Sequence, residues 1–188
     1  MEDSQDRMIR YLDDAWAMEK ALVDNLQSMA DEVNNPNIRA MFQQHADETH
    51  RQEQQLEARI RALGEEPSGG KGFLNKMMAM IGDAFQGAHD PDDKTTQDLM
   101  KAFGIESFEM AMYQGLMAYA NAIGDTQTAQ LAQQILQQER ETANKVWPLI
   151  APTAARPAQD AAAARHERGG EPTSIREDVG LPTGTRTS

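Results

Sequence analysis

Apolar side chains recur every three or four residues between Met8 and Val33. This spacing places them on one face of an α-helix, which makes a turn about every 3.6 residues. The residues on this face are Met8, Leu12, Ala15, Trp16, Glu19, Leu22, Val23, Leu26 and Ala30. A charged residue, Glu19, lies in the middle of the stripe, where charged side chains are rare. The pattern predicts a long first helix with one carboxylate directed inward.

A second helix is predicted after the sequence NNPN. Asn35 is placed to cap its first turn, Pro36 fits the first helical position, and Gly64 is expected to end it. Its inward face consists of Ile38, Met41, Phe42, His45, Thr49, Gln52, Leu56, Ile60 and Leu63. Because the link to the first helix is very short, we expect an antiparallel hairpin.

Two further helices are predicted after a long connection. The apolar sequence FLNKMMAMIGDAF at 73–85 indicates a short helix inside this connection, which we interpret as a crossover along the bundle. A third helix is expected over about 94–123 and a fourth to about Ile150, with Asp125 or Thr126 as its cap. Two hairpins joined by one crossover predict an all-α, ferritin-like four-helix bundle at 1–151.

The composition changes after residue 151, where Ala, Pro, Gly, Thr and Arg predominate. We expect 152–188 to be a disordered tail with at most a transient helical turn through AAAAR, because few large apolar side chains are present. The simplest interpretation is a solvated tail without a specific role. The alternative is a docking peptide at TSIREDVGLPTG, 173–184, which a protein partner could recognise.

Charge and composition exclude several classes of function. The chain has 188 residues with 18 Lys+Arg against 30 Asp+Glu, a formal net charge of −12 that disfavours nucleic acid and anionic membranes as partners. It contains no cysteine, which excludes disulfides and thiolate metal sites. We recognise neither a secretory signal nor a membrane-spanning stretch, so a cytoplasmic protein is expected.

Glutamates also occupy the apolar stripes of the third and fourth helices. At about 100° of rotation per residue, Glu19 lies within about 20° of the centre of its stripe, and Glu139 is equally central. Glu106 is central in the third helix and Glu109 lies roughly 50° to one side, so both can face inward. A buried carboxylate is costly unless its charge is compensated. Carboxylates that converge from several helices therefore predict a metal site.

The second helix contains a misleading pair. Asp47 and His50 have a spacing like the Glu-x-x-His of di-iron bundles, but they lie roughly 110–170° from the apolar face, so we expect them in water. Glu48, on the flank of the inward face, is instead the predicted carboxylate ligand. His45 or Gln52 is expected as its companion.

Each position taken alone has a simpler explanation. A glutamate on an apolar stripe is often a boundary residue whose stem packs while its carboxylate reaches water. His45 alone is more often a hydrogen-bonded core residue than a ligand, and Tyr113 is more often a packing residue than a catalytic one. The joint pattern favours a metal site, because unrelated boundary positions would rarely supply one carboxylate from each helix.

Four segments resemble the helical motifs of a bacterial family. They are YLDDAWAMEKAL at 11–22, HADETHRQ at 45–52, FGIESFEMAMYQGL at 103–116 and LQQERETANKV at 136–146. In this order and spacing they are similar to the motifs of the YciE/YciF family, also called domain of unknown function 892. The similarity covers the predicted bundle and omits the tail.

The resemblance implies a ferritin-like homodimer with a di-metal centre and a role in stress protection. By motif position its ligands would be Glu19, Glu48, Glu109 and Glu139, with Glu106 close by. Iron is the expected metal and manganese the alternative, since both accept oxygen ligands. A redox-active centre would react with O₂ or peroxide, as an oxidase, peroxidase or catalase would, and Tyr113 could hydrogen-bond a ligand or supply an electron.

The chain departs from the family pattern at several positions. Ser107 replaces a histidine, Asp47 replaces a glutamate, Ala143 replaces an acidic residue, and Gln52 stands where histidine occurs in other members. His45 is then the one histidine expected in the core, so the centre would consist almost entirely of oxygen ligands.

Two other functions stay open. One is a metal-free bundle that acts as a structural or stress interaction module, with its inward acids paired to Lys20, Arg59 or Lys145 or reaching solvent at the bundle ends. The other is iron storage in a cage, which the resemblance disfavours.

Overall fold

The computed structural model of the chain describes residues 3–68 and 91–169. Within these ranges there is no strand, and the four helices are α1 (Ser4–Glu32), α2 (Pro36–Ala62), α3 (Pro91–Ile123) and α4 (Thr126–Gly169). The predicted all-α fold is confirmed. None of these described helices is long and apolar enough to cross a membrane. The predicted crossover helix at 73–85 lies outside the described residues.

The first hairpin is formed as its capping residues predict. The side chain of Asn35 accepts hydrogen bonds from the N–H groups of Asn37 (2.9 Å) and Ile38 (3.3 Å), and α2 begins at Pro36. Only residues 33–35 separate α1 from α2. The start of α1 therefore lies beside the end of α2, where Gln5 donates to the carbonyl of Leu63 (3.5 Å).

The second hairpin turns at Gly124, whose positive φ of 81° is strained for other residues. Asp125 caps α4, since its carboxylate accepts from the N–H (3.0 Å) and the hydroxyl (2.6 Å) of Thr128. Of the two caps that the sequence left open, the structure thus uses Asp125. Arg59 of α2 donates to both oxygens of this carboxylate, at 2.8 and 2.9 Å, and so joins the two hairpins.

The predicted end of the last helix was wrong. Helix α4 continues past Ile150 to Gly169, so the first half of the predicted disordered tail is helical. Eight of the fourteen residues at 151–164 are alanine, the strongest helix former. Pro152 and Pro157 do not end the helix, although each removes an N–H donor and crowds the preceding turn. Thr153 is buried and supports this extension by packing. The tail beyond 169 lies outside the described residues.

The chain divides into two compact units, Met1–Ala155 and Arg156–Ser188. The first unit contains the hairpins and the core, and the predicted boundary after residue 151 falls close to its end. The second unit, as far as it is described, is helical to Gly169.

Two apolar clusters form the core of the first unit. One includes Leu26, Phe42, Leu99 and Val146, and the other includes Leu12, Leu56, Ile60, Tyr113 and Ile135. In each helix, a set of buried polar residues lies where the segment that enters one cluster gives way to the segment that enters the other. These polar residues are Glu19, His45, Thr49, Gln52, Glu106, Glu109, Glu139 and Thr142. The bundle therefore contains a polar layer enclosed by apolar side chains on both sides.

Candidate metal centre

Four carboxyl groups are buried in the polar layer. Glu19 of α1, Glu109 of α3 and Glu139 of α4 are each 1% exposed, and Glu106 of α3 is fully buried. The structure thus brings together both α3 glutamates that were predicted to face inward. No lysine or arginine in the described ranges forms an ion pair with any of the four. Their charge must therefore be neutralised by protons or by a bound cation.

His45 forms a compact group with two of these carboxylates. Its Nε2 lies 3.1 Å from Oε1 of Glu106. One ligand atom each from His45, Glu106 and Glu139 lies within 4.8 Å of the others, and all three side chains are buried. Metal–ligand bonds of about 2.0–2.2 Å leave ligand atoms roughly 3–4 Å apart. A small side-chain adjustment would therefore bring all three atoms around one ion.

Two other carboxylates are oriented by hydrogen bonds from neutral side chains. The hydroxyl of Tyr113 donates to Oε1 of Glu19. The side-chain amide of Gln52 donates to Oε1 of Glu139 at 2.6 Å and lies 3.3 Å from the side-chain oxygen of Gln138. Tyr113 and Gln52 were predicted as part of the centre, and both contact its carboxylates.

Several buried polar atoms of the layer have no hydrogen-bond partner within the described residues. They are Nδ1 of His45, Oε1 of Gln52, both oxygens of Glu106 and Oε1 of Glu109. The 3.1 Å approach of His45 to Glu106 is close but not aligned as a hydrogen bond. Buried polar atoms are normally paired. This concentration of unpaired ligand atoms fits a metal ion, which would satisfy them together.

Burial dominates the ionisation of these groups. It raises the pKa of Glu19, Glu106 and Glu109 well above the usual range, and repulsion between neighbouring carboxylates raises it further. Burial also raises the pKa of Glu139 to about 7. Near neutral pH the layer therefore holds protons that an incoming cation would displace.

The histidine and the tyrosine are affected in the same way. Burial, and after it the charge of Lys145, lowers the pKa of His45 to about 4, so its ring is neutral and can bind a metal. Burial raises the pKa of Tyr113 well above its ordinary value, so its hydroxyl remains a donor to Glu19.

Glu48 occupies a different position from the other predicted ligands. It is half-buried at the edge of the layer, whereas the other four carboxylates are enclosed. With His45, Thr142 and Lys145 it lines a small cavity between α2 and α4. This placement agrees with its predicted flank position, and it makes Glu48 a candidate ligand at the rim of the centre.

Two groups of charged residues lie outside the polar layer: those that the sequence excluded as ligands, and those suggested as ion-pair partners of the inward acids. Asp47 is exposed and His50 is 54% exposed, with its Nδ1 2.9 Å from Glu53, so the prediction that both lie in water is confirmed. Lys20 lies over the ring of Trp16, 4.6 Å from its centroid. Arg59 pairs with Asp125 at the end of the bundle. The ion pairs suggested for a metal-free core are therefore not found in the described part of the chain.

Two buried acids, Asp13 and Asp98, were missed by the sequence reasoning, and the second forms an ion pair. Asp98 of α3 is 1% exposed, and both of its oxygens accept from Lys94, at 2.9 and 2.8 Å. The four-residue spacing of Lys94 and Asp98 was the signal that could have found this pair. Because a lysine compensates Asp98, it is a structural ion pair, in contrast to the uncompensated glutamates of the polar layer.

Residues 3–159 match the family described as domain of unknown function DUF892. The chain belongs to this family. The predicted resemblance is thereby confirmed. Among curated relatives, the DUF892 chain is 28% identical to protein YciF of Escherichia coli K12 over 156 residues, which cover 79% of this chain and 91% of YciF.

Solved structures share the fold of this DUF892 chain. The structure of the E. coli stress protein YciF matches with a TM-score of 0.71 at 20% identity, covering 82% of this chain and 98% of that one. A dodecameric thioferritin, the bacterioferritin-related protein of Bacteroides fragilis, matches with a TM-score of 0.59 at 17% identity, covering 89% and 92%. The ferritin-like bundle predicted from the sequence is therefore confirmed.

Proposed function

We propose that this chain is a stress-associated, ferritin-like protein that holds a carboxylate-rich di-metal centre, with iron as its metal, and reacts with O₂ or peroxide. The observation that carries the proposal is the set of four buried glutamates without a lysine or arginine partner in the described residues. Such a set destabilises the fold by itself, and bound cations would compensate its charge. The link to stress rests on the relative YciF, which is described as a stress protein.

Five of the proposed ligands are buried in the polar layer, and a sixth is half-buried at its rim. They are Glu19, Glu106, Glu109, Glu139 and His45, with Glu48 at the rim. Bound iron would supply the electrons that reduce O₂ or peroxide, and manganese suits the same oxygen ligands. The role of the chain is to orient the ligands and to exclude water. Tyr113 and Gln52 orient two carboxylates, and the apolar clusters enclose the layer.

Metal analysis of the reconstituted protein tests this proposal. The full chain is incubated anaerobically with Fe(II) or Mn(II), freed of excess metal and analysed by mass spectrometry of the elements. We expect about two equivalents per chain. Glu19→Ala and Glu139→Ala should lose most of this metal, since such centres depend on each inward ligand. Glu141→Ala, on the same helix but exposed, is the matched control and should retain it.

A metal content below about 0.2 equivalents, unchanged by Glu19→Ala and Glu139→Ala, would contradict the proposal, because a real centre needs its ligands. That outcome would favour a metal-free bundle acting as a structural or stress interaction module.

We also propose that the chain forms a homodimer. Light scattering of the purified protein should then give twice the 20.9 kDa mass of one chain. A much larger particle, such as the dodecamer named for the Bacteroides protein, would contradict the dimer and favour storage in a cage.

A further inference from the structure

We propose that the outer face of α3 is the surface on which two copies of this chain dimerise, helix against helix, about a twofold axis near Gly115. The inference rests on the proposed homodimer and gives it an interface. It does not depend on the metal centre, whose residues lie on the inward face of the same helix.

Helix α3 is apolar on all sides between Ala102 and Ile123. Its only charged residues in this stretch are Glu106 and Glu109, and both are buried in the polar layer. The exposed positions are Gly104, Ser107, Ala111, Gln114, Gly115, Ala118, Asn121, Ala122 and Ile123. A helix that is apolar all round is normally buried on every side. The outer face of α3 therefore lacks the charged surface expected of a helix that faces only water.

A groove of about 570 Å³ lies between α3 and α1 on this face. Small residues such as Gly115 and Ala118 leave room for it, and a Cβ atom added at Gly115 would meet no other atom within 4 Å. Larger side chains border the groove, namely Tyr11, Met112 and Tyr119. Aromatic residues and methionine are enriched in the cores of protein interfaces, where charged residues are depleted. The groove therefore has the composition of an interface core.

Charge favours a second copy as the occupant. Two chains that each carry a formal net charge of −12 repel each other, and the repulsion is weakest where the facing surfaces are uncharged. The other described helices expose charged residues, for example Asp24 of α1, Arg51 of α2 and Arg140 of α4. The lining of the groove contains one charged residue, Asp14 of α1. Of the described surfaces, the outer face of α3 is therefore the one that two like-charged copies can best bring together.

The shape and size of the face also suit an identical partner. A twofold interface requires a surface that complements itself. Met112 and Tyr119 lie on the same helix as the groove, so an antiparallel α3 from the second copy places these side chains into the groove of the first. From Gly104 to Ala122 the face is about 27 Å long, and with the adjoining part of α1 it is roughly two helix diameters wide. Its projected area of roughly 600 Å² is close to the roughly 800 Å² of accessible surface that each partner buries in a stable complex.

A single acidic substitution tests this interface. Ala118→Glu keeps a good helix former at an exposed position but places one carboxylate from each copy in the contact. Sedimentation velocity of the full chain should show a dimer dissociation constant raised by about 100-fold or more, since unpaired like charges are costly in an interface core. Ala58→Glu, at an exposed position of α2, adds the same charge and is the matched control. Its dissociation constant should equal that of the unmodified chain.

Cysteine cross-linking tests the position of the axis. The chain contains no cysteine, so Gly115→Cys carries one thiol per copy. A disulfide requires Cα atoms within about 7 Å of each other. Oxidation with copper phenanthroline should therefore link Gly115→Cys into a covalent dimer, and Ala58→Cys should stay unlinked under the same conditions. Far-ultraviolet circular dichroism checks that every variant keeps its helix content.

The possible failures can be told apart. If the unmodified chain is monomeric, the proposed homodimer fails, and this inference fails with it. A dimer that Ala118→Glu leaves intact overturns the inference alone, and a fall in the thermal midpoint of that variant would show that another segment of the same chain covers the face. Loss of the dimer in Ala118→Glu without a cross-link at Gly115 overturns the position of the axis. Metal content is measured separately, so the proposed metal centre can stand when this inference fails.

Discussion

At the scale of single residues, the polar layer is a set of side chains that oppose the stability of the metal-free fold. Glu106 is fully buried, and its carboxyl group lies against that of Glu139, with no lysine or arginine of the described residues paired to it. A buried acid without a partner costs free energy whether it is protonated or charged. Asp98 shows the contrasting solution, since Lys94 compensates its charge directly. The uncompensated glutamates are therefore better explained by a ligand than by folding.

Replacing Glu106 by glutamine should stabilise the metal-free protein at pH 8, where ionisation of the acid is most costly. We expect the free energy of unfolding in urea with a chelator to rise by about 0.5–2 kcal/mol. Glu141→Gln, at an exposed position of α4, should change it by less than about 0.5 kcal/mol. A clear loss of stability in Glu106→Gln would mean that the carboxylate already makes a favourable interaction without metal.

Helical angles predicted the direction of these side chains better than their depth. They place Glu19, Glu106, Glu109 and Glu139 inward and Asp47 with His50 outward, as found. Angles place Glu48 on the flank of the inward face, in agreement with its half-buried position, but they give no measure of how deeply its carboxylate is buried. The bond from Tyr113 to Glu19 joins residues 94 positions apart, and such a partnership depends on how α1 and α3 pack. Local periodicity carries no information on that packing.

At the scale of secondary-structure elements, short capping sequences determine where the helices turn. Asn35 and Gly64 were predicted to begin and to end the second helix, and the structure uses both, while Gly124 makes the corresponding turn of the second hairpin. The end of α4 was predicted wrongly because a local signal was given too much weight. Prolines are strong but local signals, and the alanine-rich sequence that follows Pro152 outweighs them.

Two glycine-to-alanine substitutions should have opposite effects on stability. Gly124→Ala forces a side chain onto a φ of +81°, and should cost about 1–2 kcal/mol. Gly104→Ala lies inside α3 with no neighbouring atom within 4 Å of the new Cβ, and should gain about 0.5–1 kcal/mol. Urea denaturation of both variants measures the difference. If both variants changed the free energy of unfolding equally, the positive φ at Gly124 would not be needed to form the second hairpin.

At the scale of the whole molecule, the bundle combines two apolar clusters with one polar layer. The clusters supply the stability that allows the layer to keep four acids and a neutral histidine out of water. This arrangement couples metal binding, proton binding and folding. The pH dependence of stability should therefore differ between the metal-free and the metal-loaded protein.

The metal-free protein should lose stability as the pH rises above 6.5. Glu139 has a folded pKa of about 7 against 4.5 for a free carboxyl, so its contribution is complete below 4.5 and is lost as the pH passes 7. Glu19, Glu106 and Glu109 are shifted in the same direction. The pKa of His45 is lowered from 6.5 to about 4, so this residue makes the folded protein less stable only when the pH falls below 6.5. Above pH 6.5 the carboxylates therefore determine how the stability of the protein changes with pH.

Thermal unfolding with a chelator should show a midpoint that falls by roughly 3–10 °C between about pH 6.5 and pH 8.5. Added Mn(II) should raise the midpoint more at the higher pH, because the metal binds deprotonated ligands. Glu106→Gln should flatten the metal-free slope, and the exposed Glu141→Gln should leave it unchanged. A metal-free midpoint that rises with pH in this range would contradict the assigned pKa shifts.

The most direct test of the central claim is a crystal structure of the protein reconstituted with Fe(II) or Mn(II), recorded at the absorption edge of the metal. We expect two anomalous peaks about 3.5–4 Å apart, with oxygens of Glu19, Glu106, Glu109 and Glu139 at about 2.0–2.2 Å from them. One of the peaks should also lie at bonding distance from His45. A polar layer without anomalous peaks, in crystals grown at pH 8 with the metal in excess, would contradict the account.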